Sequence, residues 1–168
     1  MMSARLADAY NAQISLELAS SHAYLQLAAY FADTSLTGFE SWMRAQADEE
    51  RMHALKFFDF VLDRGNQADL GAIDGPGEPP TSALEAFEIA LAAERSVTES
   101  IRNLHAMARE ENDAASYPLL EWFLTEQVEE EASVGEIVDQ LRFADGNPAA
   151  VLMLDREHAG RAHVTPAE

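Results

Sequence analysis

The sequence has no cysteine among its 168 residues. Disulfide bridges, thiolate zinc sites and iron–sulfur clusters are therefore excluded, because each of them needs a cysteine sulfur. Basic side chains are also scarce: 11 lysines and arginines stand against 30 aspartates and glutamates, for a formal charge of −19. This charge disfavours nucleic acid as a partner and favours cations, although we expect most of the acids to form a solvated surface.

Long apolar runs are missing as well. No run approaches the roughly 20 residues that a membrane-spanning helix needs, and no basic-then-apolar leader precedes the first predicted helix near Met1. We therefore expect a soluble, cytoplasmic protein with no membrane partner. The length suits one domain covering 1–168, and the hydrophobic fraction of 48% can supply a full core.

Apolar residues with a helical period occupy four long segments, whereas glycine and proline concentrate between residues 65 and 82. The predicted helices are 4–33, 38–64, a third that opens at 80–83 and ends near 111, 114–143, and a short fifth at 147–158 before a loose tail at 159–168. The connection of about 18 residues could span on the order of 60 Å. It therefore favours an all-α four-helix bundle in which helices two and three run parallel, joined by a crossover.

Each long helix carries an acidic residue on its apolar face, near its middle. An ionised carboxylate in a dry core is costly unless it is paired, neutralised or bound to a metal. Packing would bring these acids to one level, where carboxylates with an imidazole suit iron or manganese. Any one of these signals is weak, since a mid-helix glutamate usually faces water and Glu131 falls in the same arc. The candidates are Glu17, Glu50, Glu94 and Glu130, with His53 marking a firm metal position and Gln127 beside a weaker one.

As a set, these residues resemble the haem-free ferritins of prokaryotes, over nearly the whole chain. The resemblance implies iron storage in a hollow shell of 24 subunits, with Fe(II) oxidised by O2 or H2O2 at a ferroxidase centre in each subunit. It implies that Tyr24 supplies an electron and that the fifth helix associates around the four-fold axes of the shell. The motifs are Glu17, Glu49-Glu50-x-x-His53, Glu94 and Glu126-Gln127-x-Glu129-Glu130. By the same resemblance the di-iron ligands are Glu17, Glu50, His53, Glu94 and Glu130, with Gln127 close by, and a third iron site comprises Glu49, Glu126 and Glu129.

Haem is not expected. Bacterioferritins carry a second Glu-x-x-His where this chain has Gln127-x-x-Glu130, and Arg51 stands at the position of their haem-binding methionine. Three other interpretations stay open: a di-iron oxidase or oxygenase acting on an organic substrate, a peroxide-detoxifying protein without a storage role, and a structural bundle that binds no metal. No role is assigned to the remaining histidines, which are His22, His105, His158 and His163.

Overall fold

A computed structural model describes residues 1–159 of the chain. The predicted all-α architecture is confirmed, and the helix bounds agree with the sequence-based ones to within a few residues. The predicted tail lies outside the described residues, except for Ala159. None of the helices within this range combines the length and apolar character needed to cross a membrane. The helices are α1 (Ala4–Asp33), α2 (Thr37–Asp63), α3 (Ala83–Glu110), α4 (Tyr117–Ala144) and α5 (Pro148–His158).

The start of the fourth helix differs from the prediction. A 3-10 turn spans Ala114–Ser116, and α4 begins only at Tyr117. An α-helix starting at Ala114 would require an N–H at Pro118 to bond the carbonyl of Ala114, and proline has none. Starting at Tyr117 instead places Pro118 in the first turn, where a missing N–H is tolerated.

Contacts at the two ends of the bundle establish the direction of the helices. At one end Phe39, near the start of α2, packs on Phe87, near the start of α3, with ring centroids 5.0 Å apart. At the other end Arg64, after α2, donates to Asp113, after α3, at 2.9 Å. Helices α2 and α3 therefore run parallel, and the segment between them crosses the length of the bundle as predicted.

The core consists of two apolar clusters with a polar layer between them. The cluster near α5, called the α5-side core, and the cluster at the opposite end, called the far-side core, each draw on all four long helices. Apolar burial at both ends therefore supports the polar layer on either side. Representative residues are Phe31, Met43, Phe87 and Val134 in the α5-side core and Leu6, Ile14, Phe57 and Leu120 in the far-side core.

Helix α5 is attached to the bundle at the start of α2. The buried carboxylate of Asp155 accepts a hydrogen bond from the backbone N–H of Phe39 at 2.8 Å. This bond satisfies one of the N–H groups that a helix start leaves unpaired, and no side chain of the local sequence caps α2. A Cβ on Gly38 would lie 1.7 Å from the carbonyl oxygen of Asp155, so glycine is required for this approach.

The apolar residues of α5 divide between two faces. Val151 and Leu154 pack against the α5-side core, whereas Leu152 is 40% exposed and Met153 is 72% exposed. One face of α5 therefore closes the end of the bundle and the other faces outward.

Candidate metal centre

The residues predicted to bind two metals lie together in the buried polar layer. Each comes from the middle of a long helix, and the far-side and α5-side cores exclude water above and below. Their relative exposure ranges from 0 to 7%, which is rare for glutamate unless the charge is compensated. The six side chains are Glu17, Glu50, His53, Glu94, Gln127 and Glu130.

Three of these side chains form one compact group. Glu17, Glu50 and His53 each offer one ligand atom, and these atoms lie within 4.8 Å of one another. Glu50 and His53 are three residues apart, so they share one face of α2; the Nδ1 of His53 lies 3.4 Å from the Oε2 of Glu50. Two carboxyl groups and an imidazole at this spacing suit one hard divalent cation.

The other two carboxyls of the layer, those of Glu94 and Glu130, accept hydrogen bonds from amide and phenol groups. The hydroxyl of Tyr24 donates to Oε1 of Glu94, and Nε2 of Gln127 donates to Oε2 of the same carboxyl at 3.2 Å. Nε2 of Gln46 donates to Oε2 of Glu130 at 2.8 Å. Among residues 1–159, no imidazole is grouped with these two carboxyls. That this position holds metal more weakly stays a prediction.

Burial controls the protonation of the layer. Desolvation raises the pKa of Glu17 from 4.5 to about 7 and that of Glu130 to about 9. Desolvation together with neighbouring carboxylates raises the pKa of Glu50 well above its ordinary value, and burial also raises the pKa of Glu94. A raised pKa favours the protonated form of a carboxyl, and a bound cation would displace such a proton.

The donor set fits iron. Four carboxyl groups balance the four positive charges of two divalent cations, and carboxylate oxygen with imidazole nitrogen is a combination that Fe(II) accepts. Glu17 has one oxygen bonded to Gln13 and a second, Oε2, that is buried with no hydrogen-bond donor. A buried acceptor of this kind fits a cation better than it fits a dry core.

Only part of the predicted third site lies close together. Glu49, His53 and Glu126 offer ligand atoms within 4.8 Å of one another, whereas Glu129 is exposed. Glu126 is buried because it lies one turn before Glu130 on the same face of α4. Glu129 is about 100° away from Glu130 around the helix, which directs it to solvent.

Some polar residues form hydrogen bonds around the centre although the sequence analysis did not predict a role for them. Nε2 of Gln13 donates to Oε1 of Glu17 at 2.8 Å, and the hydroxyl of Ser100 donates to Oε1 of Gln13 at 2.5 Å. The available signal was the spacing, since Gln13 lies four residues before Glu17 on the same face. No sequence pattern marks Ser100, because its partner belongs to another helix.

Glu131, which falls in the same apolar arc as the four buried glutamates, is hydrogen-bonded to Thr98. The hydroxyl of Thr98 donates to Oε1 of Glu131 at 2.7 Å and accepts from Nε2 of Gln127 at 3.3 Å. Arg95 also lies 3.8 Å from Glu131, whose side chain is 31% exposed. Glu131 therefore stays at the edge of the layer and does not join the four buried carboxyls.

Comparison with known proteins places this geometry in context. The family described as Ferritin-like domain matches residues 7–144. The chain is also 38% identical over 162 residues to a protein named bacterial non-heme ferritin from Staphylococcus saprophyticus, covering 96% of this chain and 97% of that protein. The family match at 7–144 covers α2, α3 and α4, all of α1 except its first three residues, and every predicted ligand.

The chain is also similar to solved structures of ferritins. An open-pore ferritin from the archaeon Archaeoglobus fulgidus superposes with a TM-score of 0.94 at 43% identity, covering 96% of this chain and 100% of that chain. A humanized archaeal ferritin gives a TM-score of 0.95 at 42% identity, covering 98% and 100%. The similarity therefore includes the short α5 as well as the bundle.

Proposed function

The chain belongs to the ferritin-like family, and on that premise we propose that it stores iron after oxidising Fe(II) to Fe(III) inside its own helical bundle. The observation that carries this proposal is the buried layer in which Glu17, Glu50 and His53 face the carboxyls of Glu94 and Glu130. A layer of four carboxyls with raised pKa values is unfavourable in a plain structural bundle. It becomes favourable when two cations enter it.

Iron is the substrate of the proposed reaction. One Fe(II) ion binds between Glu17, Glu50 and His53, and a second binds at Glu94 and Glu130 with Gln127 close by. Binding displaces the protons that burial holds on these carboxyls, so the layer becomes ionised as the cations enter. Each Fe(II) then gives one electron and becomes Fe(III). The two electrons, with two protons, convert O2 to H2O2 or convert H2O2 to two molecules of water.

Tyr24 is proposed as an auxiliary electron donor. Its hydroxyl donates to Glu94, and burial together with the nearby carboxyls keeps its pKa well above the ordinary value. The phenol therefore keeps its proton at neutral pH and lies beside one of the proposed iron positions. The resemblance to ferritins assigns the same role to this tyrosine.

Glu49, Glu126 and Glu129 are proposed as a third iron position on the path away from the centre. Glu126 is buried next to the centre, Glu49 is half-buried and Glu129 is exposed. These acids thus form a graded route from the layer to the surface. A cation leaving the weaker position would meet carboxylate oxygens along this route.

We also propose that the chain assembles as a hollow shell of 24 copies in the cytoplasm. The outward face of α5 and the end of α4 expose apolar side chains, including Met153 and Phe143, the latter 94% exposed in the single subunit. Exposed apolar surface of this kind favours association between copies. The acidic chain, with its charge of −19, would concentrate cations on the inner surface.

Stopped-flow oxidation of Fe(II), with size determination on the same sample, tests this proposal. We expect rapid oxidation at about two Fe(II) per subunit, or three if the additional position takes part, and a particle much larger than a dimer. A large shell that reacts with H2O2 and retains no mineral would favour detoxification. A monomer or dimer that oxidises no Fe(II) would refute the storage function.

A further inference from the structure

We propose that two buried glutamines, Gln13 and Gln46, are positioning residues that each hold one carboxylate of a different metal position. This inference rests on the proposed function, because it concerns the two positions within the carboxylate layer. Neither glutamine belongs to the ligand set predicted from the sequence. Both are almost completely buried, at 1% and 2% exposure.

Gln46 acts on the weaker position. It lies four residues before Glu50 on α2, yet its amide nitrogen reaches across the bundle and donates to Oε2 of Glu130 on α4 at 2.8 Å. One oxygen of Glu130 is thereby held and the other can turn toward a cation. Because no imidazole stabilises this position, the orientation of its carboxylates contributes a larger share of its affinity.

Gln13 acts on the firm position through its own helix. Its amide nitrogen donates to Oε1 of Glu17 at 2.8 Å, and its amide oxygen accepts from the hydroxyl of Ser100 on α3 at 2.5 Å. The amide is thus held at both ends, between α3 and the carboxyl that it orients. The remaining oxygen of Glu17, Oε2, is buried without a hydrogen-bond donor, as expected of a ligand atom.

These two contacts predict that each glutamine affects a different metal position. A hydrogen bond to a metal-binding group typically changes metal affinity by about 10- to 100-fold when it is removed. Methionine has nearly the shape and flexibility of glutamine and lacks its N–H donor, so Gln→Met removes the hydrogen bond while the space stays filled. A residue that merely fills space would tolerate this exchange.

The experiment is a titration of the full-length, metal-free protein with Co(II), followed by the d–d absorption of the bound ion. We expect two Co(II) per subunit of unequal affinity in the wild type. Gln46→Met should weaken the second binding step by roughly 10- to 100-fold and leave the first within about two-fold. Gln13→Met should weaken the first step by a similar factor.

Controls separate positioning from packing. The exposed Gln67 of the crossover segment, changed to methionine, should titrate as the wild type does. Gln46→Asn keeps the amide but shortens the side chain, so it should weaken the second step as Gln46→Met does, and it serves if the methionine variant does not fold. Thermal melting of each metal-free variant checks that the bundle is intact.

The possible outcomes distinguish a failure of the positioning roles from a failure of the proposed function. If the wild type binds two Co(II) and the variants at positions 13 and 46 titrate identically to it, the positioning roles are refuted and the proposed function stands. Equal weakening of both steps by either variant also refutes them, because it indicates a general loss of packing. A wild type that binds no Co(II) refutes the proposed function and this inference with it.

Discussion

The two ends of the core and the layer between them differ in what their burial achieves. At the ends, residues such as Phe57 and Phe123 stack with ring centroids 4.0 Å apart, and removing them from water stabilises the bundle. In the layer, Glu17, Glu50 and Glu94 are equally buried, but their desolvation raises their pKa values and costs stability. The ends stabilise the fold, whereas the layer costs stability, and in the proposed function bound cations offset that cost.

This difference explains why the layer sits in the middle of the bundle. Apolar clusters on both sides hold the helices at a fixed separation, so the carboxyls cannot move apart to reach water. The stability contributed by the ends offsets the cost of the layer, and cations that bind the layer would stabilise the folded protein further. Substitutions at the two kinds of region should therefore change stability with opposite sign.

The largest expected effect comes from the far-side core. Leu120→Ala removes a fully buried side chain and leaves a cavity, so we expect a loss of about 2–5 kcal/mol in the stability of the metal-free protein. Thermal or denaturant unfolding measures this loss. Leu62→Ala, at a position 47% exposed, is the matched control and should cost much less; an equal loss would contradict the account of the core.

The opposite sign is expected in the layer. Glu50→Leu replaces a desolvated carboxyl by an apolar group, so the metal-free protein should gain about 1–4 kcal/mol. The same change should reduce the rate of Fe(II) oxidation by at least about 100-fold, since it removes a proposed ligand of the first iron position. Unfolding and stopped-flow absorbance measure the two effects.

The exposed Glu129 provides the control for that substitution. Glu129→Gln should leave the stability within about 0.5 kcal/mol of the wild type, because its side chain is not desolvated. A metal-free Glu50→Leu protein that is less stable than the wild type would show that the layer stabilises the fold by itself.

The layer should also make stability depend on pH. The folded pKa of Glu17 is about 7 against 4.5 in the unfolded chain, so the folded protein keeps a proton that the unfolded chain has released. The contribution of this proton to the stability of the folded protein is therefore fully present below about pH 4.5 and is lost as the pH rises through about 7. We expect the melting temperature of the metal-free protein to fall across this window, by an amount equivalent to a few kcal/mol.

Divalent cations should reverse this trend, because deprotonated carboxylates bind them better. Melting curves from pH 5 to 8, with and without Co(II), measure both effects. Glu17→Gln should reduce the slope of the metal-free curve, and the raised pKa values of Glu50, Glu94 and Glu130 account for the slope that remains. A slope equal to that of the wild type would assign the pH dependence to those other groups.

The smallest expected effect concerns the attachment of α5, which distinguishes the α5-side core from the far-side core. Asp155→Ala removes the hydrogen bond to the N–H of Phe39, so we expect a loss of about 0.5–2 kcal/mol and faster proteolytic removal of α5. Limited proteolysis with melting curves measures this. Asp139→Ala, whose carboxylate is 81% exposed, is the control; unchanged proteolysis at Asp155→Ala would contradict the capping role.

Most of the helical architecture could be predicted because its signals are local. The period of the apolar residues identified the four long helices, and the glycines and prolines after Gly65 identified the crossover. The predicted start of α4 was wrong by three residues, because a helix from 114 would place Pro118 where its missing N–H leaves the carbonyl of Ala114 unpaired. The capping of α2 by Asp155 was missed, because those residues are more than a hundred positions apart in the chain.

The sequence by itself determined that Glu17, Glu50, Glu94 and Glu130 lie on apolar helix faces, because that position is a property of spacing alone. Only the tertiary structure decided how those carboxyls are held. Gln46 bonds a glutamate on another helix, Ser100 orients Gln13, and Thr98 keeps Glu131 at the edge of the layer. The physical reason is that burial follows from the period of one helix, whereas a hydrogen bond between helices depends on the register and rotation of both.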